Sequence, residues 1–326
     1  MREIRNRFVK DLFRTFIGPQ ASWLATRYAA QLSREYPQRL ESALGRIAPH
    51  GQLSTERPIF VLSAGWRSGS TMLQRMIMAN NPDILIWGEP FDLANVHDGL
   101  ANQFRAFTRD WPPSAYFLTS SVTTDLSDTW VANLYPTVDD LLGAHRRFYD
   151  ALFAEPARRA GKSSWGMKEV RLTIDHARYF RALYPSCKIV LLHRNPFDAY
   201  RSYRRWRTGV FRRWPDRFVA TPYAFGRNWA ELTSGFLEGD RAIDACRIRY
   251  EDLDDSAEVR RLSDYLGWTV PRASEIRRIR DRKTDSASGR PDGDRVPLAD
   301  RLLLEWATRK ARRDAGYALR SSTTSA

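Results

Sequence analysis

Residues 58–71 read Pro58-Ile-Phe-Val-Leu-Ser-Ala-Gly-Trp-Arg-Ser-Gly-Ser-Thr71, an apolar run followed by a turn with two glycines. The apolar run 58–63 is typical of a short strand that is buried in a parallel sheet. The segment 70–79 predicts a helix that begins directly after the turn. Because the start of a helix has free N–H groups and a positive dipole end, it attracts anions. The stretch therefore predicts a strand, a phosphate-binding loop at Gly65–Thr71 and a helix.

The same order of strand, loop and helix recurs along the rest of the chain. Further predicted strands lie at Ile84–Trp87, Trp165–Val170, Lys188–His193 and Cys246–Tyr250. Helical patterns follow at Asp175–Tyr184, Pro196–Arg207, Tyr223–Leu237, Glu258–Leu266 and Leu298–Tyr317. This alternation predicts right-handed crossovers and a parallel sheet, with ligands at the carboxyl ends of its strands.

The predicted fold class is α/β, with a P-loop-like parallel sheet flanked by helices. We expect this domain to cover residues 51–326 and to follow a helical N-terminal extension over residues 1–50. Residues 92–160 are rich in aromatic and turn residues and predict a helical insertion within the domain, a candidate lid.

The composition limits the classes of protein. The chain has 326 residues and is 43% hydrophobic, which is enough for a sizeable core and excludes global disorder. Cys187 and Cys246 are too few for a disulfide framework or a four-thiolate metal site. The formal net charge of +14 favours contact with phosphates, nucleic acid, anionic glycans or acidic membranes, but does not choose among them.

The hydropathy of the chain predicts no transmembrane helix, because no long apolar run is present. Charged residues such as Arg5, Lys10 and Arg14 interrupt the first segment, so we expect no secretory signal and a cytoplasmic protein. The apolar residues of this segment, Ile4 and Phe8 among them, fall on one helical face. Docking of this helix on its own domain is the favoured interpretation, and peripheral membrane contact is the alternative.

The loop at Gly65–Thr71 differs from the loop of ATP- and GTP-binding proteins, which reads G-x-x-x-x-G-K-[ST]. One residue fewer separates the two glycines here, and Ser70 stands where that loop has its lysine. No later predicted strand ends in an aspartate suited to Mg²⁺. A kinase or nucleotide hydrolase is therefore disfavoured, and we expect no metal.

A second motif, Lys188-Ile-Val-Leu-Leu-His-Arg-Asn-Pro-Phe-Asp-Ala-Tyr-Arg-Ser-Tyr203, combines an apolar strand with a helix start. Arg194 comes at the carboxyl end of the predicted strand, where its forked guanidinium can bind a phosphate. Ser202 follows eight residues later on the predicted helix, close enough to reach the same ligand.

Together, the two motifs resemble those of sulfotransferases that use 3′-phosphoadenosine-5′-phosphosulfate (PAPS). The resemblance implies that Arg194 and Ser202 bind the 3′-phosphate of PAPS. It also implies that the 5′-phosphosulfate is bound by the loop residues Gly65, Trp66, Arg67, Ser68, Gly69, Ser70 and Thr71. Trp66 replaces the proline that is common in this loop of the family.

The resemblance also implies the catalytic residues. Glu89, just past the predicted strand Ile84–Trp87, is similar to the general base of relatives that sulfate glycans and tyrosine, and His97 is its rival. Lys168 and Arg67 would stabilise charge on the oxygens around sulfur. Arg171 is a candidate contact to phosphate or acceptor, and His193 is expected to be a packing residue.

Two further segments are similar to the family, which the chain resembles in order over residues 57–290. Arg249-Tyr-Glu-Asp-Leu253 resembles a strand end that is mainly structural. Residues 281–289 stand where relatives have a loop over the cofactor, so Lys283, Ser286 and Ser288 are candidate contacts.

The sequence thus predicts a sulfotransferase that moves a sulfuryl group from PAPS to a hydroxyl of a glycan or a small natural product. The 92–160 insertion is the candidate acceptor-binding region. Two alternatives stay open: a P-loop kinase or nucleotide hydrolase, and a non-catalytic binder of polyanions. No nucleic-acid-binding signature is present, so we expect no nucleic-acid partner.

Overall fold

The computed structural model describes residues 34–47, 54–91, 94–119, 131–204, 221–276 and 296–317, together with Leu126 and Val219. In these residues five strands form one sheet in the order β2-β3-β1-β4-β5, and every neighbouring pair is parallel. The strands are β1 Ile59–Ser63, β2 Ile84–Trp87, β3 Ser164–Glu169, β4 Lys188–His193 and β5 Cys246–Arg249. The predicted α/β class with a parallel sheet is confirmed.

The central strand β1 shows why these apolar runs form the middle of the sheet. All five of its residues are buried, since helices cover both faces. Phe60 and Leu62 belong to one hydrophobic cluster, and Ile59 and Val61 belong to a second cluster on the opposite face. This alternation follows from the two-residue period of a strand.

Helices surround this sheet. A helix α1 covers residues 34–44. The others are α2 Ser70–Ala79, α3 Val96–Asn102, α4 Val138–Tyr149, α5 Glu155–Arg159, α6 Ile174–Leu183, α7 Pro196–Arg204, α8 Pro222–Gly239, α9 Ser256–Leu266 and α10 Leu298–Asp314. A π-helical segment, Asp150–Ala154, joins α4 to α5.

The predicted insertion at residues 92–160 is helical where it is described, with α3, α4 and α5 as its main elements. Its aromatic residues Phe104 and Tyr149 are fully buried and pack with Tyr179 of α6. These parts of the insertion therefore belong to the main core, and its acceptor-binding role stays a prediction.

The N-terminal extension is described only from residue 34, so the amphipathic segment with Ile4 and Phe8 lies outside the described residues. Helix α1 docks on the domain, because Tyr36, Leu40 and Ala43 are buried and the Tyr36 hydroxyl donates to the Ala101 carbonyl. Among the helices of the described residues, none has the length and apolar character that crossing a bilayer requires.

Candidate active site

The loop between β1 and α2 has a tightly wound backbone at the carboxyl end of the central strand. Gly65, Arg67 and Gly69 all have positive φ, at 83°, 65° and 94°. Only glycine adopts this region without cost, so the two glycines explain the turn and Arg67 is held in a strained conformation. The Ser68 hydroxyl donates to the Gly65 carbonyl at 2.8 Å and closes the loop from within.

Helix α2 begins at Ser70, directly after this turn. The first N–H groups of a helix have no partner within the helix, and its dipole is positive at this end. No acidic residue lies in the first turn of α2 to compete for that charge. The loop and the helix start therefore offer the free N–H groups and the positive dipole end that an anion requires, and the phosphate-binding role stays a prediction.

Arg67 and Ser202, which the sequence assigns to opposite ends of one ligand, meet in the structure. Arg67 Nε donates to Ser202 Oγ at 2.9 Å, across 135 residues of sequence. Arg194 Nη1 donates to the Arg67 carbonyl at 3.2 Å, across 127 residues. The fold thus brings the two motifs into a single site, because β1 and β4 are neighbouring parallel strands that end at the same edge of the sheet.

Tyr250 is a site residue that the sequence analysis missed. Its ring lies beneath the Arg194 guanidinium, with 4.1 Å between the guanidinium carbon and the ring centroid. The same ring packs on Gly69 so closely that a Cβ there would lie 2.0 Å from Tyr250 Cδ2. The available signal was its position at the carboxyl end of β5, beside β4 in the sheet.

Glu89 and Lys168 form an ion pair beside this site. Glu89 follows β2 by two residues, and Lys168 lies near the carboxyl end of β3, which pairs with β2. Lys168 Nζ contacts Glu89 Oε1, with the lysine side chain 5% exposed and the glutamate 24% exposed. The two candidate catalytic residues are therefore adjacent, and the carboxylate is the one that faces solvent.

A second ion pair lies on the other face of β3. Glu169 and Arg171 are both buried, and Arg171 Nε donates to Glu169 Oε2 at 2.9 Å. Burial raises the pKa of Glu169 to about 7, against the lowering effect of Arg171. Arg171 Nη2 also donates to the Pro90 carbonyl at 3.2 Å. Arg171 thus contacts the turn that contains Glu89, and its role as a phosphate or acceptor contact stays a prediction.

His97, the rival base, lies in the aromatic core. It is 3% exposed, its Nδ1 is 2.8 Å from the Tyr149 hydroxyl, and its ring stacks on the Tyr149 ring. Burial lowers its pKa to about 3. This placement favours Glu89 over His97 as the group that a solvent-borne acceptor can reach.

The remaining predicted site residues divide into two sets. His193 is 1% exposed and packs against Tyr317, which agrees with its predicted packing role. The predicted contacts Lys283, Ser286 and Ser288 lie outside the described residues. Within the described ranges, no group of three or more His, Cys, Asp and Glu residues is arranged to hold a metal ion.

Comparison with known proteins gives one match at the level of sequence. Residues 58–272 match the model of the sulfotransferase family. A search of curated proteins found no match.

Comparison with solved structures gives distant similarities. The sulfotransferase domain of the Synechococcus PCC 7002 olefin synthase is 16% identical, with a TM-score of 0.43, over 82% of this chain and 100% of that domain. The sulfotransferase domain from the curacin biosynthetic pathway is also 16% identical, with a TM-score of 0.43, over 81% and 99%. Mouse sulfotransferase SULT7A1 complexed with PAP is 15% identical, with a TM-score of 0.37, over 84% and 85%.

Proposed function

The chain belongs to the sulfotransferase family, and on that basis we propose that it transfers a sulfuryl group from PAPS to an acceptor hydroxyl and releases 3′,5′-ADP. One observation carries this proposal. The contact between Arg67 and Ser202, with Arg194 bonded to the Arg67 backbone, joins a 5′-phosphate loop to a 3′-phosphate site. A donor with phosphates at both positions fits that arrangement.

The donor is held at its two ends by different groups. The N–H groups of the loop and of the start of α2 bind the 5′-phosphosulfate, and the Arg67 guanidinium adds a positive charge. Arg194 and Ser202 bind the 3′-phosphate. Tyr250, which stacks on Arg194, keeps its guanidinium plane in place.

The reaction is an in-line displacement at sulfur. The acceptor oxygen forms a bond to sulfur while the bond between sulfur and the bridging phosphate oxygen breaks. Glu89 takes the acceptor proton as the oxygen attacks. The electron pair of the broken bond stays on the bridging oxygen, where Lys168 and Arg67 stabilise the charge. As in phosphoryl transfer, catalysis consists of positioning and charge stabilisation.

The acceptor is proposed to be a glycan or a small natural product that offers a hydroxyl group. The observation behind this is an aromatic surface next to Glu89. Phe91, two residues on from Glu89, packs against Phe148, with 6.3 Å between ring centroids. Phe148 is 37% exposed and can stack on a sugar ring or a flat molecule. The cytoplasmic location that the sequence predicts stays a prediction.

Two measurements test the donor. The protein should transfer radiolabel from PAPS to members of a panel of glycans, lipids and phenols. Its thermal unfolding midpoint should rise with 3′,5′-ADP and stay constant with Mg-ATP. A shift with Mg-ATP alone would indicate the kinase or hydrolase alternative. Steeply salt-dependent binding of polyanions without PAPS turnover would indicate the polyanion-binding alternative.

A substitution tests the base. Glu89→Gln keeps the shape of the side chain and its contact with Lys168, but the amide cannot take the proton of the acceptor hydroxyl. We expect turnover to fall about 100-fold or more, with the affinity for 3′,5′-ADP unchanged. Glu155→Gln, at an exposed glutamate on α5, is the matched control and should keep normal turnover. Near-normal turnover in Glu89→Gln would remove Glu89 from the mechanism.

A further inference from the structure

At the end of β4, three consecutive residues are held by side chains from elsewhere in the fold: His193 through its ring, and Arg194 and Asn195 through their backbone. The His193 ring is 3.0 Å from the Tyr317 hydroxyl through its Nδ1. The Arg194 carbonyl accepts a hydrogen bond from Trp229 Nε1 at 2.9 Å. The Asn195 N–H donates to Glu251 Oε1 at 2.9 Å. Arg194, which we propose binds the 3′-phosphate, is therefore bonded through its own carbonyl, and both of its neighbours in the chain are bonded as well.

Tyr317 contacts both side chains, Trp229 and Glu251, that bond the backbone of Arg194 and Asn195. Its hydroxyl is bonded to His193 and donates to Glu251 Oε2 at 3.0 Å. Its ring lies 6.2 Å from the Trp229 ring and 5.6 Å, edge-on, from the His193 ring. One side chain thus bonds the His193 ring and contacts the two groups that hold the backbone of Arg194 and Asn195.

The hydrogen-bond directions at Tyr317 follow from its partners. A carboxylate only accepts, so the single hydroxyl proton goes to Glu251 and His193 Nδ1 must donate to the hydroxyl oxygen. Burial lowers the pKa of His193 to about 4, so its ring is neutral near pH 7. Burial, and then the charge of Glu251, raise the pKa of Tyr317 above its usual value. The network therefore has one stable arrangement of protons at neutral pH.

The end of helix α10 explains how Tyr317 reaches this position. Gly316 has a φ of 75°, and its N–H donates to the Arg313 carbonyl, while the Tyr317 N–H donates to the Arg312 carbonyl. This pair of bonds is the Schellman ending of a helix, which turns the chain back sharply.

Helix α10 is itself placed closely against α8. A Cβ added at Gly226 of α8 would lie 2.7 Å from Ala307 Cβ of α10, so the glycine allows the two helices to approach. Leu304, Thr308 and Ala311 are buried on the face of α10 toward the core. Tyr317 is therefore anchored by a well-packed helix.

We propose that Tyr317 is a positioning residue for the 3′-phosphate of the donor, acting through Glu251 and Trp229 on Arg194 and Asn195. The proposal rests on the proposed function, because it takes Arg194 as the residue that binds this phosphate. Tyr317 lies outside the segment that matches the family, residues 58–272. Because hydrogen bonds to a phosphate weaken steeply as their geometry departs from the optimum, a fixed Arg194 backbone increases affinity for that phosphate.

The test compares two ligands that differ only at the 3′ position. Tyr317→Phe removes the hydroxyl and keeps the ring contacts. By calorimetry we expect the affinity for 3′,5′-ADP to fall about tenfold, while the affinity for 5′-AMP, which lacks the 3′-phosphate, stays within about twofold. A merely structural role for Tyr317 would change both affinities equally.

Tyr184→Phe is the matched control. The Tyr184 hydroxyl also donates to a carboxylate, Asp150 Oδ1 at 2.8 Å, and its ring is fully buried. Loss of that hydroxyl should leave both affinities unchanged. Thermal unfolding midpoints of both variants show that the folded state is present during the measurements.

A second variant tests Glu251, the carboxylate that bonds both the Tyr317 hydroxyl and the Asn195 N–H. Glu251→Ala removes the acceptor of the Asn195 N–H and should also reduce 3′,5′-ADP affinity selectively. Since Tyr317 and Glu251 act through the same backbone, the double variant should lose less affinity than the product of the single losses. Equal losses for the two ligands, no loss, or fully multiplicative losses would overturn the proposal.

The outcome for the wild-type protein separates this proposal from the proposed function. If the wild type binds 3′,5′-ADP no better than 5′-AMP, the 3′-phosphate site is wrong and both proposals fall together. If the wild type prefers 3′,5′-ADP and Tyr317→Phe keeps that preference in full, only the role of Tyr317 is overturned.

Discussion

Gly69 must be glycine for two reasons: its backbone has a positive φ, and the ring of Tyr250 packs against it. Its φ of 94° and its contact with the Tyr250 ring leave no space for a side chain. That ring also supports the Arg194 guanidinium. A change at Gly69 therefore affects both proposed phosphate sites at once.

We predict that Gly69→Ala abolishes detectable 3′,5′-ADP binding. The new Cβ would lie 2.0 Å from Tyr250 Cδ2, so the ring must move and Arg194 loses its support. Calorimetric titration with 3′,5′-ADP measures the effect. Affinity within about threefold of the wild type would contradict the close packing of Gly69 on Tyr250.

Gly161→Ala is the control that introduces a side chain at a positive φ without a steric clash. Gly161 has a φ of 74°, and nothing lies within 4 Å of where its Cβ would be. We expect a loss of about 1 kcal/mol of unfolding free energy with unchanged ligand affinity, since only the left-handed conformation is penalised.

At the residue scale, local spacing predicts some site residues and misses others. Arg67, Arg194 and Ser202 stand within motifs, and strand-to-helix geometry is enough to place them at a sheet edge. The roles proposed for Tyr250 and Tyr317 rest on contacts with residues far away in sequence, and no local spacing of an aromatic residue indicates such contacts. Their roles depend on packing between elements.

At the scale of elements, strand β3 links the candidate catalytic residues to the core. Its alternation places Lys168 on one face and Glu169 on the other. Lys168 pairs with Glu89, and Glu169 pairs with Arg171, which also bonds the Pro90 carbonyl. The turn at residues 88–90 is thus attached to β3 by the Lys168–Glu89 ion pair, and to the residues just after β3 by the hydrogen bond from Arg171 to the Pro90 carbonyl.

We predict that Arg171→Met lowers the unfolding free energy by about 3–5 kcal/mol, because it leaves the Glu169 carboxylate buried without its partner. The double variant Glu169→Met with Arg171→Met should recover much of that loss, since it removes both charges. Urea unfolding at pH 7 measures both. Equal destabilisation by the single and double variants would show that the ion pair does not dominate at this site.

Arg159→Met is the matched control for an exposed pair. Arg159 and Glu155 are 4.0 Å apart, with side chains 71% and 54% exposed. Its removal should change the unfolding free energy by less than about 0.5 kcal/mol.

The elements themselves were predictable to different degrees. All five strands of the sheet lie within about one residue of predicted strands. The signal is strongest for β1 and β4, because strands buried on both faces are apolar along nearly their whole length. The insertion was predictable only as helical. Its aromatic residues, such as Tyr149, are core partners of α6, and composition alone cannot separate core packing from a lid.

On the scale of the whole molecule, two buried histidines make the free energy of unfolding depend on pH. His97 lies on α3 of the insertion, within the aromatic core, and His193 lies at the end of β4. Burial, and then the electrostatic influence of the neighbours His176 and Arg171, lower the pKa of His97 from 6.5 to about 3. Burial also lowers the pKa of His193 from 6.5 to about 4.

The direction of the pH effect follows from these values. Between about pH 6.5 and pH 4 the unfolded chain binds protons at both histidines and the folded chain does not, so stability falls as the pH falls. Glu169, whose pKa is raised, acts in the opposite direction. The histidine contribution must therefore be measured as a difference between the wild type and a variant.

We predict that His97→Gln reduces the loss of unfolding free energy between pH 7 and pH 5 by about 2 kcal/mol, since the variant has no imidazole to protonate in the unfolded chain. The variant should be less stable than the wild type at pH 7, because Gln cannot reproduce the stacking on Tyr149. Urea unfolding of both proteins at the two pH values gives the difference directly. An unchanged pH dependence in His97→Gln would mean that His97 is protonated equally in the folded and unfolded chains, and its burial would then have to be incomplete in solution.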